Sequence, residues 1–257
     1  MGRDARGQWS EIPARGVLHF WLLKIATTTL GETGGDAVSR SMGLGYLAST
    51  AIFAGLFLLA LAVHTRAPLR AGVYWTTIIA TTTVSTTLAD LANRSLGVGY
   101  WGGAALLIAL LLAWMGTWFG TLGLTPDVET VTTPRGAAFY WVTVLLAQAL
   151  GSLVGDWIGE SVGVGSRDAV LLLGGLLGVA VARLAWKQGS RTVPFWVALL
   201  LTRPFSVLLG NLLNEPAEAG GMGLNRFATS AALLALVAFL VTRRPRRAAG
   251  ATASACP

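Results

Sequence analysis

Apolar residues fall in eight runs of roughly 18–20 residues, the length that crosses about 30 Å of hydrocarbon at 1.5 Å per residue. Runs near 20–39, 74–93, 139–159 and 195–213 are striped with Thr, Ser, Gln and acids, whereas those near 46–63, 101–119, 168–186 and 227–242 are almost wholly apolar. A helix apolar all round belongs against lipid, and a striped one faces polar partners. The pattern predicts an all-α integral membrane protein of eight transmembrane helices, with four striped helices inside and four apolar ones outside.

The runs repeat. Phe20-Trp21, Tyr74-Trp75, Tyr140-Trp141 and Phe195-Trp196 each open a striped run, and fifteen residues after each Trp stand Asp36, Asp90, Asp156 and Asn211. The Trp residues are 54, 66 and 55 apart, so two pairs of repeats are joined by a longer polar connection over 120–138. Each repeat has an even number of runs, so all four enter the bilayer with the same orientation, unlike inverted-repeat transporters. Four parallel two-helix repeats around an axis along the membrane normal are expected, covering about 20–67, 74–120, 139–188 and 195–243 within one transmembrane domain, 17–243.

Residues four apart share a helix face. Seven residues after the Trp stand Thr28, Thr82, Gln148 and Arg203; eleven after, Glu32, Thr86, Ser152 and Val207. The Asp36, Asp90, Asp156 and Asn211 layer follows, then an outer ring of Arg40, Arg94, Glu160 and Glu215, with Lys24 alone one turn before Thr28. These layers predict a polar core about 18 Å long. Hydroxyls, amides and the glycines Gly31, Gly35, Gly151, Gly155 and Gly210 serve helix packing equally well. The carboxylates do not: an acid at a helix centre costs about 2.5–3.5 kcal/mol on insertion scales, and Asn or Ser would pack as well. An unpaired charge there costs more, so Arg203, next to Pro204, is expected to pair with Glu32, with Lys24 as the competing cation.

Composition agrees with a membrane setting: 54% of residues are hydrophobic and only 12% charged, where a soluble domain carries about 25%. The net charge of +7 sits mostly at run ends. Thirteen Arg and Lys lie on the side of the two termini against four on the other, which predicts cytoplasmic termini, 1–16 as a cytoplasmic segment and 244–257 as a basic tail beside anionic lipid rather than a nucleic-acid site. The one cysteine, Cys256, lies in that tail, and His19 and His64 fall near run ends, which leaves carboxylates, amides, hydroxyls and a few cations to build any site.

Glycine turns follow the striped runs, Arg40-Ser41-Met42-Gly43-Leu44-Gly45-Tyr46, Arg94-Ser95-Leu96-Gly97-Val98-Gly99-Tyr100 and Glu160-Ser161-Val162-Gly163-Val164-Gly165, as tight connections; the fourth copy departs, with Pro216 and a displaced Gly221-Met222-Gly223. With Trp21, Trp75, Trp141 and Trp196 as signature positions, the chain resembles a bacterial family of uncharacterised membrane proteins with four tandem repeats, each of two transmembrane segments and a Trp. That resemblance implies a multi-pass protein of the bacterial inner membrane and brings no settled activity, cofactor or catalytic residue.

Function is therefore read from the stripe. Hard oxygen donors suit a proton or a divalent cation such as Mn²⁺, Mg²⁺ or Ca²⁺, with Asp36, Asp90 and Asp156 as the metal ligands. Three Asp near one axis cannot all ionise cheaply and should titrate together. The leading expectation is a transporter or channel-like protein moving a cation through the Asp/Asn layer. A non-transporting sensor or assembly module with a sealed polar core is the alternative, and a membrane-embedded enzyme using Asp36 and Asp90 comes third. No cofactor beyond a bound cation is expected, and the expected partners are the lipid bilayer and a small cation or proton, not nucleic acid; the pattern does not specify an oligomeric state.

Overall fold

The computed structural model describes residues 14–66, 71–122, 134–161, 166–186 and 192–243. Within them lie eight α-helices and no strand: α1 (Ala14–Asp36), α2 (Gly45–Arg66), α3 (Ala71–Asp90), α4 (Gly99–Leu122), α5 (Pro134–Ser161), α6 (Ser166–Ala185), α7 (Thr192–Asn214) and α8 (Arg226–Thr242). They match the eight apolar runs to within a few residues. The third glycine turn and the basic tail with Cys256 lie outside the described residues.

Five helices, α2, α4, α5, α6 and α7, are long and apolar enough to cross a membrane. The expected eight crossings are thus met by length and composition in five. The reason is visible in the other three: α1 carries Lys24, Glu32 and Asp36, α3 is rich in threonine, and α8 has only 17 residues.

Four striped helices close a ring, α1 on α3, α3 on α5, α5 on α7 and α7 back on α1. Each apolar helix packs on the striped helix of the next repeat: α2 on α3, α4 on α5, α6 on α7, and α8 on α1. The last helix therefore closes the circle begun by the first. Exposed Leu47, Leu58, Leu59, Leu112, Leu171, Val179 and Phe239 give α2, α4, α6 and α8 an apolar outer surface, while the striped helices hold most of the buried polar residues.

Glycines at the ring's seams explain how the striped helices approach. A Cβ on Gly31 or Gly35 of α1 would run into Thr82 or Thr86 of α3, one on Gly151 or Gly155 of α5 into Arg203 or Val207 of α7, and one on Gly210 of α7 into Glu32. At Gly155 the added carbon would lie 2.9 Å from Val207 Cβ and 3.1 Å from the Pro204 backbone, where nothing can rotate away. Gly155→Ala is expected to lower stability by about 1–3 kcal/mol in detergent unfolding. Gly34→Ala, with nothing within 4 Å, serves as the control and should be neutral or stabilising through helix propensity. Equal effects at both positions would refute the close-approach account.

An aromatic belt caps the ring at the Trp end. Phe20 meets Trp75 at 5.8 Å, Tyr74 meets Trp141 at 6.0 Å and Phe195 meets Trp21 at 6.2 Å, so the residue before one Trp contacts the Trp of the next repeat. Trp141 is 1% exposed, whereas Trp196 is 56% exposed. The fourth Trp turns outward.

Candidate functional site

Arg203, on α7 and 5% exposed, holds the core together. Its Nη2 donates to Thr86 Oγ1 at 2.7 Å and Ser85 Oγ at 3.4 Å on α3, and to Ser152 Oγ on α5, and lies 3.2 Å from Glu32 Oε2 on α1. Nε donates to the Gln148 carbonyl at 3.3 Å. One guanidinium thus touches all three other striped helices and closes the axis at this level. The Arg203–Glu32 pair expected from sequence is present, and Thr86 Oγ1 also donates to Glu32 Oε2 at 2.9 Å. Lys24 does not compete for Glu32 within ion-pair distance.

Contacts that occur in the same order along two helix pairs show that the striped helices of each pair run parallel. Thr82 donates to Gln148 Oε1 at 3.0 Å, and further along the same two helices Arg94 pairs with Glu160. Ser206 donates to Thr28 at 3.0 Å, and further along α1 and α7 Arg40 pairs with Glu215 at 3.2 Å. Helices that meet in the same order at both ends point the same way.

The Asp layer is buried but not uniform. Asp36 Oδ2 lies 3.2 Å from Arg40 and 3.7 Å from Arg226, while its Oδ1 has no hydrogen-bond partner among the described residues. Asp90 accepts from Arg94 Nε at 2.9 Å and lies 3.6 Å from Arg40. Asp156 is different: its contact is an amide, Asn211 Nδ2 at 3.2 Å, and among the described residues no basic side chain is within ion-pair distance. Arg40 stands between Asp36 and Asp90, so the acids are spaced by cations. Among the described residues no group of three His, Cys, Asp or Glu comes together that could hold a metal ion.

Outside this layer the core opens. Glu160 accepts from Tyr100 at 2.6 Å as well as from Arg94, and Glu215 binds both Arg40 and Arg226 at 3.2 Å. Directly after Asp36 and Asp90 the backbone winds into π-helical turns, Ala37–Ser41 and Leu91–Ser95, before Gly43, Gly45, Gly97 and Gly99 reverse it at positive φ. Isolated π turns occur often at functional sites, because the wider winding re-aims side chains. Here each carries the arginine that binds the preceding Asp. In α5 the helix continues as α through Ser161.

The structure thus brings together every stripe residue named from sequence except Val207, which packs against Gly155, and Lys24, which is buried without an ion pair among the described residues. It adds Arg226, whose position at the start of α8 hid its reach back to Asp36, and Ser85 and Ser206, ten residues after their Trp and so beside the four-residue stripe.

Fold and core define a membrane-type helical bundle of two-helix repeats around a buried, charged polar axis. The profile of the family Repeat of Unknown Function (DUF347) matches residues 19–68, 73–122 and 139–190, and the chain belongs to that family. The three matches are the α1–α2, α3–α4 and α5–α6 repeats; α7 and α8 lie beyond them and complete the ring. No curated protein and no solved structure matches the chain.

Proposed function

We propose that the chain is a multi-pass membrane carrier, with all eight helices crossing the bilayer about an axis along its normal and both termini cytoplasmic, that moves protons by way of Asp156. The observation that carries this reading is the difference among the buried acids. Glu32, Asp36 and Asp90 each lie against an arginine, whereas among the described residues Asp156 has Asn211 as its hydrogen-bond partner and no ion pair. A carboxyl bound to an amide gains or loses a proton without breaking an ion pair, so it is the acid suited to exchange.

Lys24 and Arg203 favour a proton over a divalent cation as the cargo. Two fixed positive charges on a narrow axis of low dielectric oppose the passage of Mg²⁺ or Mn²⁺. They oppose a continuous file of protons too, which favours a carrier that rearranges over an open channel. The test is proton flux in proteoliposomes carrying an internal pH dye under an imposed gradient. Wild type is expected to exceed protein-free liposomes, Asp156→Asn to fall to their level, and Asp156→Glu to retain flux. A wild type no faster than empty liposomes overturns the proposal. It would favour a sealed assembly module, the reading supported by the way Arg203 ties all four striped helices.

A further inference from the structure

The proton mechanism leaves one part of the core unused, the stretch between Lys24 and Arg203. Among the described residues, two side-chain donors and one hydroxyl, Thr29 Oγ1, stand unpartnered near this stretch. Arg203 Nη1 and Gln148 Nε2 are buried without a hydrogen-bond partner, and Lys24, 9% exposed, has no ion pair among the described residues. The Thr28 and Thr82 hydroxyls are occupied: Thr28 donates to the Lys24 carbonyl and accepts from Ser206, and Thr82 is shared between the Ile78 carbonyl and Gln148 Oε1. Lys24 stands one helical turn before Thr28, and Thr28, Gln148 and Arg203 share one register, seven residues after their Trp.

Charge makes the same point. From the level of Lys24 through the Glu32 layer the axis carries two cations, Lys24 and Arg203, and one acid, Glu32, which already serves Arg203 and Thr86. A net buried positive charge is costly in a membrane, and orphaned charged donors add to that cost. A single negative charge received between Lys24 and Arg203 would bring the stretch to neutrality and satisfy both cations.

We infer that the axis between Lys24 and Arg203 binds a small monovalent anion, held by Lys24 Nζ, Arg203 Nη1 and Gln148 Nε2. The inference rests on the carrier reading for its consequence: with a proton on Asp156, two layers further along the axis from Arg203, anion and proton cross together without net charge. Its site does not depend on that reading.

The experiment uses the full chain, with chloride and nitrate as probes and gluconate as the bulky replacement at fixed ionic strength. Tm of the purified protein in detergent should rise with chloride or nitrate, following the mass-action stabilisation expected of a ligand that binds only the folded state. Lys24→Gln should abolish the rise and Lys24→Arg keep it. In wild-type proteoliposomes, external chloride or nitrate should accelerate proton uptake over gluconate, a measurement that does not depend on the folding of a variant. An unchanged anion response in Lys24→Gln overturns the site. Proton flux indifferent to the anion, in a protein whose Tm is equally indifferent, overturns it while leaving the proton carrier standing. A Lys24-dependent rise in Tm without any proton flux does the reverse: the anion site stands and the carrier falls.

Discussion

Arg203→Ala is expected to lower stability by about 3–5 kcal/mol, the cost of removing one partner from a buried ion pair. Glu32 loses its cation, and Ser85 and Thr86 on α3 and Ser152 on α5 lose the donor that joins them. The double change Arg203→Ala with Glu32→Gln should be less destabilised than Arg203→Ala alone, because the acid left behind is then neutral. A double-mutant cycle in detergent unfolding measures the coupling. Additivity to within about 0.5 kcal/mol would show that the two side chains do not act as a pair.

Much of this core was legible because the repeat writes the same register four times. Layers spaced by four from each Trp placed Thr82 against Gln148, Glu32 against Thr86 and Asp156 against Asn211, since parallel helices in register bring equivalent positions together. The close-approach glycines were legible for the same reason. What the stripe could not show was anything contributed from outside it. Arg226 opens an outer helix, and only the packing of α8 on α1 carries it to Asp36 and Glu215. The hand-off of each apolar helix to the next repeat is likewise a property of the closed ring, invisible in a linear count. Nor does equal register guarantee equal surroundings: Trp141 is sealed between His64 and Tyr74, whereas Trp196 at the same register faces outward. The three Asp residues looked alike in sequence because a charge pattern names the acids without saying which arginine reaches which.

That difference among the acids gives opposite signs to one substitution. Asp90→Asn removes the carboxylate that Arg94 holds at 2.9 Å and Arg40 approaches at 3.6 Å, and the amide offers each guanidinium a weaker acceptor. A loss of about 1.5–3 kcal/mol is expected, the scale of a hydrogen bond to a charged group, moderated by the partial exposure of both arginines and by their remaining partners Glu160, Asp36 and Glu215. Asp156→Asn removes a buried acid that no arginine among the described residues holds and leaves an amide facing the amide of Asn211. Replacing such an acid with a neutral isostere should be neutral or stabilising, because the amide pair keeps one hydrogen bond and a lone buried acid is gone. Proton flux should show a different order, lost in Asp156→Asn and retained in Asp90→Asn wherever that variant folds. Unfolding curves and flux on the same two preparations test both statements. If Asp156→Asn destabilises as much as Asp90→Asn, Asp156 is a structural member of the ion network and its assignment as the proton-exchanging acid fails.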